Sequence, residues 1–260
     1  MQEAFADNSN GEKAETAGDV NPLFQRLALI TGRDGLERIA RTSVMVIGLG
    51  GVGGWCAEAL VRSGIGKIGI VDFDTIADSN INRQIQATSR TVGQAKADVL
   101  KERLTEINPG CEVSAWNAIF SRENAGQFGI ENADYVIDAI DILNCKLDLI
   151  EASLAAGATL FSSMGMAQKT DPTRIKVADI WKTHGCPLAR LVRENLRKRN
   201  FSGGFTAVYS DESIPRQGEI TYTQDGYGNR KISNGSVVTV TACAGMILAS
   251  LVLRDIAERQ

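Results

Sequence analysis

Short apolar runs alternate along this chain with longer segments in which apolar residues recur every three or four positions. Runs of strand length fall at 44–47, 67–71, 112–118, 135–141, 159–162 and 175–180. Helical periodicity falls between them, at 55–62, 92–107, 121–128 and 146–156, and again at 189–199. A further helix is expected at 21–40, interrupted near Gly32 and Gly35, with Phe24, Leu27 and Ile30 on one face. Strands alternating with helices predict an α/β fold: a Rossmann-like, doubly wound and mostly parallel sheet with a C-terminal subregion. Residues 1–20 lack apolar periodicity and read as a disordered tail. Residues 201–235 are rich in Gly, Ser and Asp and read as an active-site loop or crossover. Residues 236–253 carry no charge and reach the lower limit for a membrane span. Their Ala, Ser, Thr and Gly content favours a buried strand-plus-helix over a membrane span.

Glycines at 48, 50, 51, 53 and 54 follow the first strand. The spacing Gly48-x-Gly50-x-x-Gly53, between a strand and a helix, allows a tight turn and a close backbone approach to a phosphate. The helix N-terminus then offers free N–H groups to the anion. Asp72, about 20 residues on, ends the second strand, where a carboxylate can accept from ribose hydroxyls. A nicotinamide dehydrogenase is the default reading of such a turn. The residues after Asp72 change it. Asp74, Ser79, Asn80, Asn82, Arg83, Gln84 and Lys96 concentrate phosphate-binding chemistry that a triphosphate needs and a dinucleotide does not.

The ordered set GxGGxG, DxD, SNxNRQ and Lys96 resembles the ubiquitin-activating-like adenylating enzymes, the ThiF, MoeB and HesA superfamily, over about residues 26–170. The resemblance implies that Gly48, Gly50, Gly51, Gly53, Asp72, Asp74, Ser79, Asn80, Asn82, Arg83, Gln84 and Lys96 bind ATP, with Arg83 and Lys96 also catalytic. It implies that Asp141 holds Mg²⁺ and that Arg26, in LFQRL, reaches the ATP site of the other subunit of a homodimer. Arg26 also reads as a solvated surface residue. Asp138 is the alternative metal acid, or a strand-end hydrogen-bonder. The superfamily pattern DNxxxR is altered here, with Ile142 for the Asn and Lys146 for the Arg. Relatives carry paired CxxC motifs for zinc; this chain has none, so no zinc is expected.

A tighter resemblance is to the tRNA threonylcarbamoyladenosine dehydratase branch. It is carried by Ser79 to Ile85, Gly93-x-Ala95-Lys96-Ala97, Ile107-Asn108-Pro109, the 135–141 run, Asp171-Pro172-Thr173 and the 208–212 run VYSDE. It implies adenylation of a carboxylate on a tRNA base, followed by ring closure. The alternative is an activator of a small ubiquitin-like or sulfur-carrier protein, with Cys186 as a thioester nucleophile or else an ordinary thiol. The basic helix at 190–199, with Arg190, Arg193, Arg197, Lys198 and Arg199, is the expected tRNA contact. His184, the only histidine, reads as structural or phosphate-proximal. Ser210 and Glu212 are ring-closure candidates through the branch alone. A monovalent-cation site and a sulfur-transfer partner are further implications without a location. Residues 21–180 would then be the ATP-binding region, and 181–260 the substrate- and tRNA-facing part of the same domain.

At 260 residues and 43% hydrophobic, the chain can bury a large core. Its net charge of −3 excludes a global basic field. Five cysteines without paired spacing and no apolar leader point to a cytoplasmic setting.

Overall fold

The computed structural model describes residues 20–215, 217–220, 222–224 and 230–258. The tail expected over 1–20 lies outside the described residues except for Val20. Seven strands form one sheet: β1 (Ser43–Ile47), β2 (Lys67–Val71), β3 (Glu112–Trp116), β4 (Tyr135–Asp138), β5 (Thr159–Ser163), β6 (Ile175–Asp179) and β7 (Thr206–Ser210). Their order is β3-β2-β1-β4-β5-β7-β6, with β6 antiparallel to β7 and every other pair parallel. The α/β, doubly wound, mostly parallel fold read from the pattern is the fold observed.

Alternation within the strands sorts the two faces. Val44 and Val46 of β1 and Ile68 and Ile70 of β2 face one layer of helices. That layer comprises α1 (Gln25–Arg41), α2 (Gly53–Arg62), α3 (Lys96–Ile107) and α6 (Val238–Glu258). Met45 and Ile47, with Val71 and Val136, face the opposite layer, α4 (Leu143–Ala155) and α5 (Pro187–Lys198).

Several expectations needed correction. The helix expected at 92–107 starts at Lys96. Gly93 has φ +87, and the segment before α3 pairs back through Ile76 N to Gln94 O and Gly93 N to Ile76 O. β4 stops at Asp138, so Asp141 lies past the strand. The loop expected over 201–235 contains β7, which sits between β5 and β6. It also holds a two-stranded hairpin, β8 (Tyr222–Gln224) with β9 (Arg230–Ile232). In α1, Gly32 has φ +68 and kinks the helix, and Ile30 is exposed rather than on the core face with Leu27.

The uncharged stretch at 236–253 is helical from Val238 onward, not strand-plus-helix. By length and composition α6 could cross a membrane. It instead carries a buried stripe, Val240, Ala244, Leu248 and Val252, against the core. At Gly245 a Cβ would lie 2.5 Å from the Val52 carbonyl oxygen, so α6 meets the start of α2 backbone to backbone.

Gly245→Ala gains about 1 kcal/mol of helix propensity. Overpacking a tight contact costs about 1–3 kcal/mol. Urea unfolding is therefore expected to show a net loss for Gly245→Ala, and exposed Ser250→Ala should show none.

Candidate active site

The strand order reverses at β1, which is flanked by β2 on one side and β4 on the other. Ligands of open α/β sheets bind outside the carboxyl ends of the strands at such a point. The glycine turn occupies it. Gly48, at φ +90, donates to the Val71 carbonyl, and a Cβ there would lie 2.7 Å from the Ala139 carbonyl oxygen. A Cβ on Gly53 would lie 1.9 Å from the Gly48 oxygen. These two glycines are required by packing. Gly50 differs: its nearest neighbour would be Gln84 Nε2 at 3.9 Å, which leaves room for a ligand.

Asp72 is buried behind this turn. Its Oδ2 accepts from Leu49 N at 2.6 Å and its Oδ1 from Asp74 N at 2.8 Å. Burial pushes its pKa up, while the nearby Lys96 charge and these hydrogen bonds pull it back. Lys96 opens α3 and is 5% exposed. Its Nζ donates to Asp74 Oδ2 at 2.6 Å. Both acids of the DxD motif and the lysine therefore form one cluster at the tip of β2.

The SNxNRQ segment folds over the turn from the other side. Asn80 Oδ1 accepts from Ala77 N, which shapes the 3₁₀ turn Asp78–Asn80. Arg83 Nη1 donates to the Ser79 carbonyl at 2.6 Å and to Asn82 Oδ1 at 2.9 Å. Asn82 Nδ2 donates to the Ser236 carbonyl, tying the segment to the entry of α6. Burial lowers the Arg83 pKa and the Asp141 charge opposes it, so the two groups feel each other across the crevice. Gln84 is buried beside Gly50, and its Oε1 has no hydrogen-bond partner among the described residues. An orphaned buried acceptor is unfavourable unless a ligand supplies a donor. An adenine amino group or a ribose hydroxyl would supply one, so this acceptor fits a nucleotide.

Past β4 the two candidate metal acids separate. Asp138 is fully buried. Its Oδ2 accepts from Lys146 Nζ at 2.6 Å and from Ser162 Oγ at 2.5 Å, and its Oδ1 accepts from Ile140 N. Asp138 is the strand-end hydrogen-bonder, not the exposed acid. Lys146, standing where the superfamily pattern has Arg, points into the core and also donates to the Ser163 carbonyl. Asp141 is the exposed carboxylate on the crevice.

Other candidates are distributed away from the crevice. Arg26 is exposed near the start of α1. Phe24, two residues earlier, lies against Gly64, at the far end of α2 from the glycine turn. The ten residues of α2 span about 15 Å, so the chain's own Arg26 does not reach its own crevice. Cys186 is buried, with its thiol toward the Gly165 carbonyl, and does not present a nucleophile. Glu212 holds the preceding loop: its carboxylate accepts from Thr170 N, Thr170 Oγ1 and Asp171 N, and its carbonyl accepts from Lys169 Nζ. Ser210 Oγ accepts from Glu212 N. Both residues are framework rather than ring-closure groups. His184 Nδ1 meets Tyr209 OH at 3.2 Å, and its Nε2 lies 3.5 Å from Asp211.

The basic cluster needs a partial correction. Arg199 is matched by Asp148 and Glu151 of α4, Arg193 donates to Thr183 Oγ1, and Arg197 lies over the Trp181 ring. Arg190, 3.9 Å from Glu194, Arg197 and Lys198 remain outward charges. Two residues at the site were missed in the sequence. Trp55 Nε1 donates to the Arg83 carbonyl, and Gln86 Nε2 donates to the Leu49 carbonyl. Neither falls in a motif, and only their nearness to motif residues could have marked them.

A sequence model of the ThiF family matches residues 24–259. The tRNA threonylcarbamoyladenosine dehydratase of Bacillus subtilis is 42% identical over 238 residues, 90% of this chain and 94% of that protein. The Escherichia coli molybdopterin-synthase adenylyltransferase is 31% identical over 162 residues, 62% of this chain and 64% of that protein. The crystal structure of the E. coli tRNA threonylcarbamoyladenosine dehydratase in complex with ATP superposes with a TM-score of 0.79 at 34% identity. It covers 90% of this chain and 93% of that one.

Two outcomes follow from the side chains just described. Lys146→Met leaves the Asp138 carboxylate buried without its cation, and chemical denaturation is expected to show a loss of about 3–5 kcal/mol. Asp211 is held at a pKa of about 2, below the ordinary 3.8, by a hydrogen bond from Lys176 and by Arg174. Its contribution is present above the ordinary value and fades as pH falls through the lowered one. Between pH 3.8 and about 2, melting of the native protein should therefore fall more steeply than melting of Asp211→Asn.

Proposed function

The chain belongs to the ThiF family, and on that premise we propose that it is an ATP-dependent dehydratase that cyclises threonylcarbamoyladenosine in tRNA. One observation carries this reading. The match to the Bacillus subtilis dehydratase runs through 90% of this chain, including the part beyond the nucleotide region, whereas the adenylyltransferase match spans 62%. The reading as an activator of a carrier protein is thereby disfavoured.

The chemistry follows from the weakness of a carboxylate as an electrophile. A carboxylate oxygen of the threonylcarbamoyl group attacks the α-phosphorus of ATP, and pyrophosphate leaves. The resulting acyl-adenylate carries a good leaving group. A nitrogen or oxygen of the same substituent then attacks the acyl carbon, closes a ring and expels AMP. The oxygen lost from the carboxylate departs on AMP and ring closure releases one proton from the attacking nitrogen or oxygen, so that, counted on the neutral nucleosides, one water is lost. No enzyme nucleophile is required.

The protein's part is to fix and neutralise charge, often a large catalytic term. The glycine turn and Asp72 hold the nucleotide, with Asp74, Ser79, Asn80, Asn82 and Gln84 around it. Arg83 and Lys96 offset phosphate charge, and Asp141 holds Mg²⁺, a hard cation suited to carboxylate and phosphate oxygens. Arg26 would enter from the second subunit of a homodimer. The same helix supports that assembly, because Leu29 and Ile30 are 88% and 85% exposed on α1. Outward charges of α5 would meet tRNA phosphates, in the cytoplasm. The resemblance also extends to a monovalent cation and a sulfur-transfer partner, to which we assign no residues.

The deciding measurement is AMP formation with and without tRNA carrying threonylcarbamoyladenosine, followed by mass analysis of the nucleoside. AMP that depends on this tRNA, with loss of one water, is the expected result; none from ATP-binding protein returns the carrier-protein activator. Lys96→Ala and Asp141→Ala should each lower the rate by about 100-fold or more. Leu29→Glu with Ile30→Glu should yield monomer in sedimentation and lose activity with it.

A further inference from the structure

Trp55 and Gln86 tie the two nucleotide-facing segments together in opposite directions. Trp55 stands in the first turn of α2 and donates from Nε1 to the Arg83 carbonyl at 3.0 Å. The next amide in that peptide unit, Gln84 N, donates to the Asn80 carbonyl at 3.0 Å. The planar Arg83–Gln84 peptide is therefore held at both ends, and the roots of both side chains are fixed with it. Gln86, 2% exposed, donates from Nε2 to the Leu49 carbonyl at 2.6 Å. The Leu49 N–H is held on its other side by Asp72. In a trans peptide the C=O and the following N–H point in opposite directions. By holding the Leu49 oxygen, Gln86 aims the Gly50 N–H away from itself. Gly50 is the fingerprint glycine with open space before it.

Stability alone does not account for Gln86. Its Oε1 is buried without a hydrogen-bond partner among the described residues, wedged where a Cβ on Gly54 would come within 2.9 Å. A buried acceptor left unpaired is unfavourable, and an apolar side chain of the same length would remove it, leaving the hold on the Leu49 carbonyl as what the glutamine adds. We infer that Trp55 and Gln86 are positioning residues for ATP: Trp55 acts through Arg83, and Gln86 through the Gly50 N–H. This rests on reading the crevice as the ATP site and is independent of which acyl group is adenylated.

The test is calorimetric titration with ATP, without tRNA, of the full chain in Arg83 and Arg83→Lys backgrounds. Trp55→Phe keeps the ring and removes the donor. It should weaken ATP binding about tenfold beside Arg83 and less than twofold beside Arg83→Lys. Gln86→Met should weaken ATP about tenfold in both backgrounds. Its melting temperature should change little, because the orphaned Oε1 is removed while the Leu49 carbonyl loses its donor. A loss of binding without a matching drop in melting is a split that a purely structural role would not give. Equal losses for Trp55→Phe in both backgrounds, or no loss, would overturn the Trp55 role. Wild-type affinity in Gln86→Met, or weaker binding that tracks a lower melting temperature, would overturn the Gln86 role. The Gln86 arm stands even where Trp55→Phe does not fold. Native protein that fails to bind ATP at all would sink the ATP site itself, and both roles with it. ATP binding without tRNA-dependent AMP would sink only the dehydratase reading.

Discussion

A carbon atom added to Gly53 would lie 1.9 Å from the Gly48 carbonyl oxygen, and one added to Gly48 would meet the Ala139 carbonyl. This contact of backbone on backbone sets the rest of the crevice. It brings the start of α2 down onto the turn and presses the turn against the end of β4. Leu49 is thereby offered to Asp72 on one side and Gln86 on the other. Trp55, two residues further into α2, then reaches the Arg83 carbonyl. Each later contact is a side chain gripping a backbone group that the glycines have already placed.

Much of this was legible in the sequence because it depends on local patterns. The strands β1, β2 and β5 announce themselves as short apolar runs, and the glycine spacing between β1 and α2 has few other uses. What was not legible depends on tertiary partners. Five residues, Thr206–Ser210, gave no strand signal within a glycine-rich surround, yet they pair with β5 and β6 inside the sheet. Val and Thr at the start of α6 suggested a strand, but packing on α2 and α1 overrode that propensity. The roles of Asp138 and Asp141 could not be told apart by spacing. What separates them is Lys146, eight residues beyond Asp138, folding back beneath the strand end.

That buried pair also bears on how the chain departs from its superfamily pattern. Lys146 stands in the sequence where the superfamily pattern has an arginine, and its ammonium is spent on Asp138, Ser162 and Ser163. The side chains that face the crevice come from the 72–96 region, with Asp141 opposite. Arg199 is paired at the surface with the acids of α4, so a dense run of basic residues in sequence becomes a partly neutralised seam in the fold.

The place of β7 has a consequence for how such a chain can be built or divided. β7 is made after β6 but lies between β5 and β6, so β6 has no neighbour in the sheet until residues 206–210 arrive. A chain cut after residue 180 would hold every nucleotide-facing motif and still leave β5 with an open apolar edge, the kind of edge through which sheets aggregate. The nucleotide half is therefore not a separable module. Its last strands are closed by the half that follows, and the two are made and lost together.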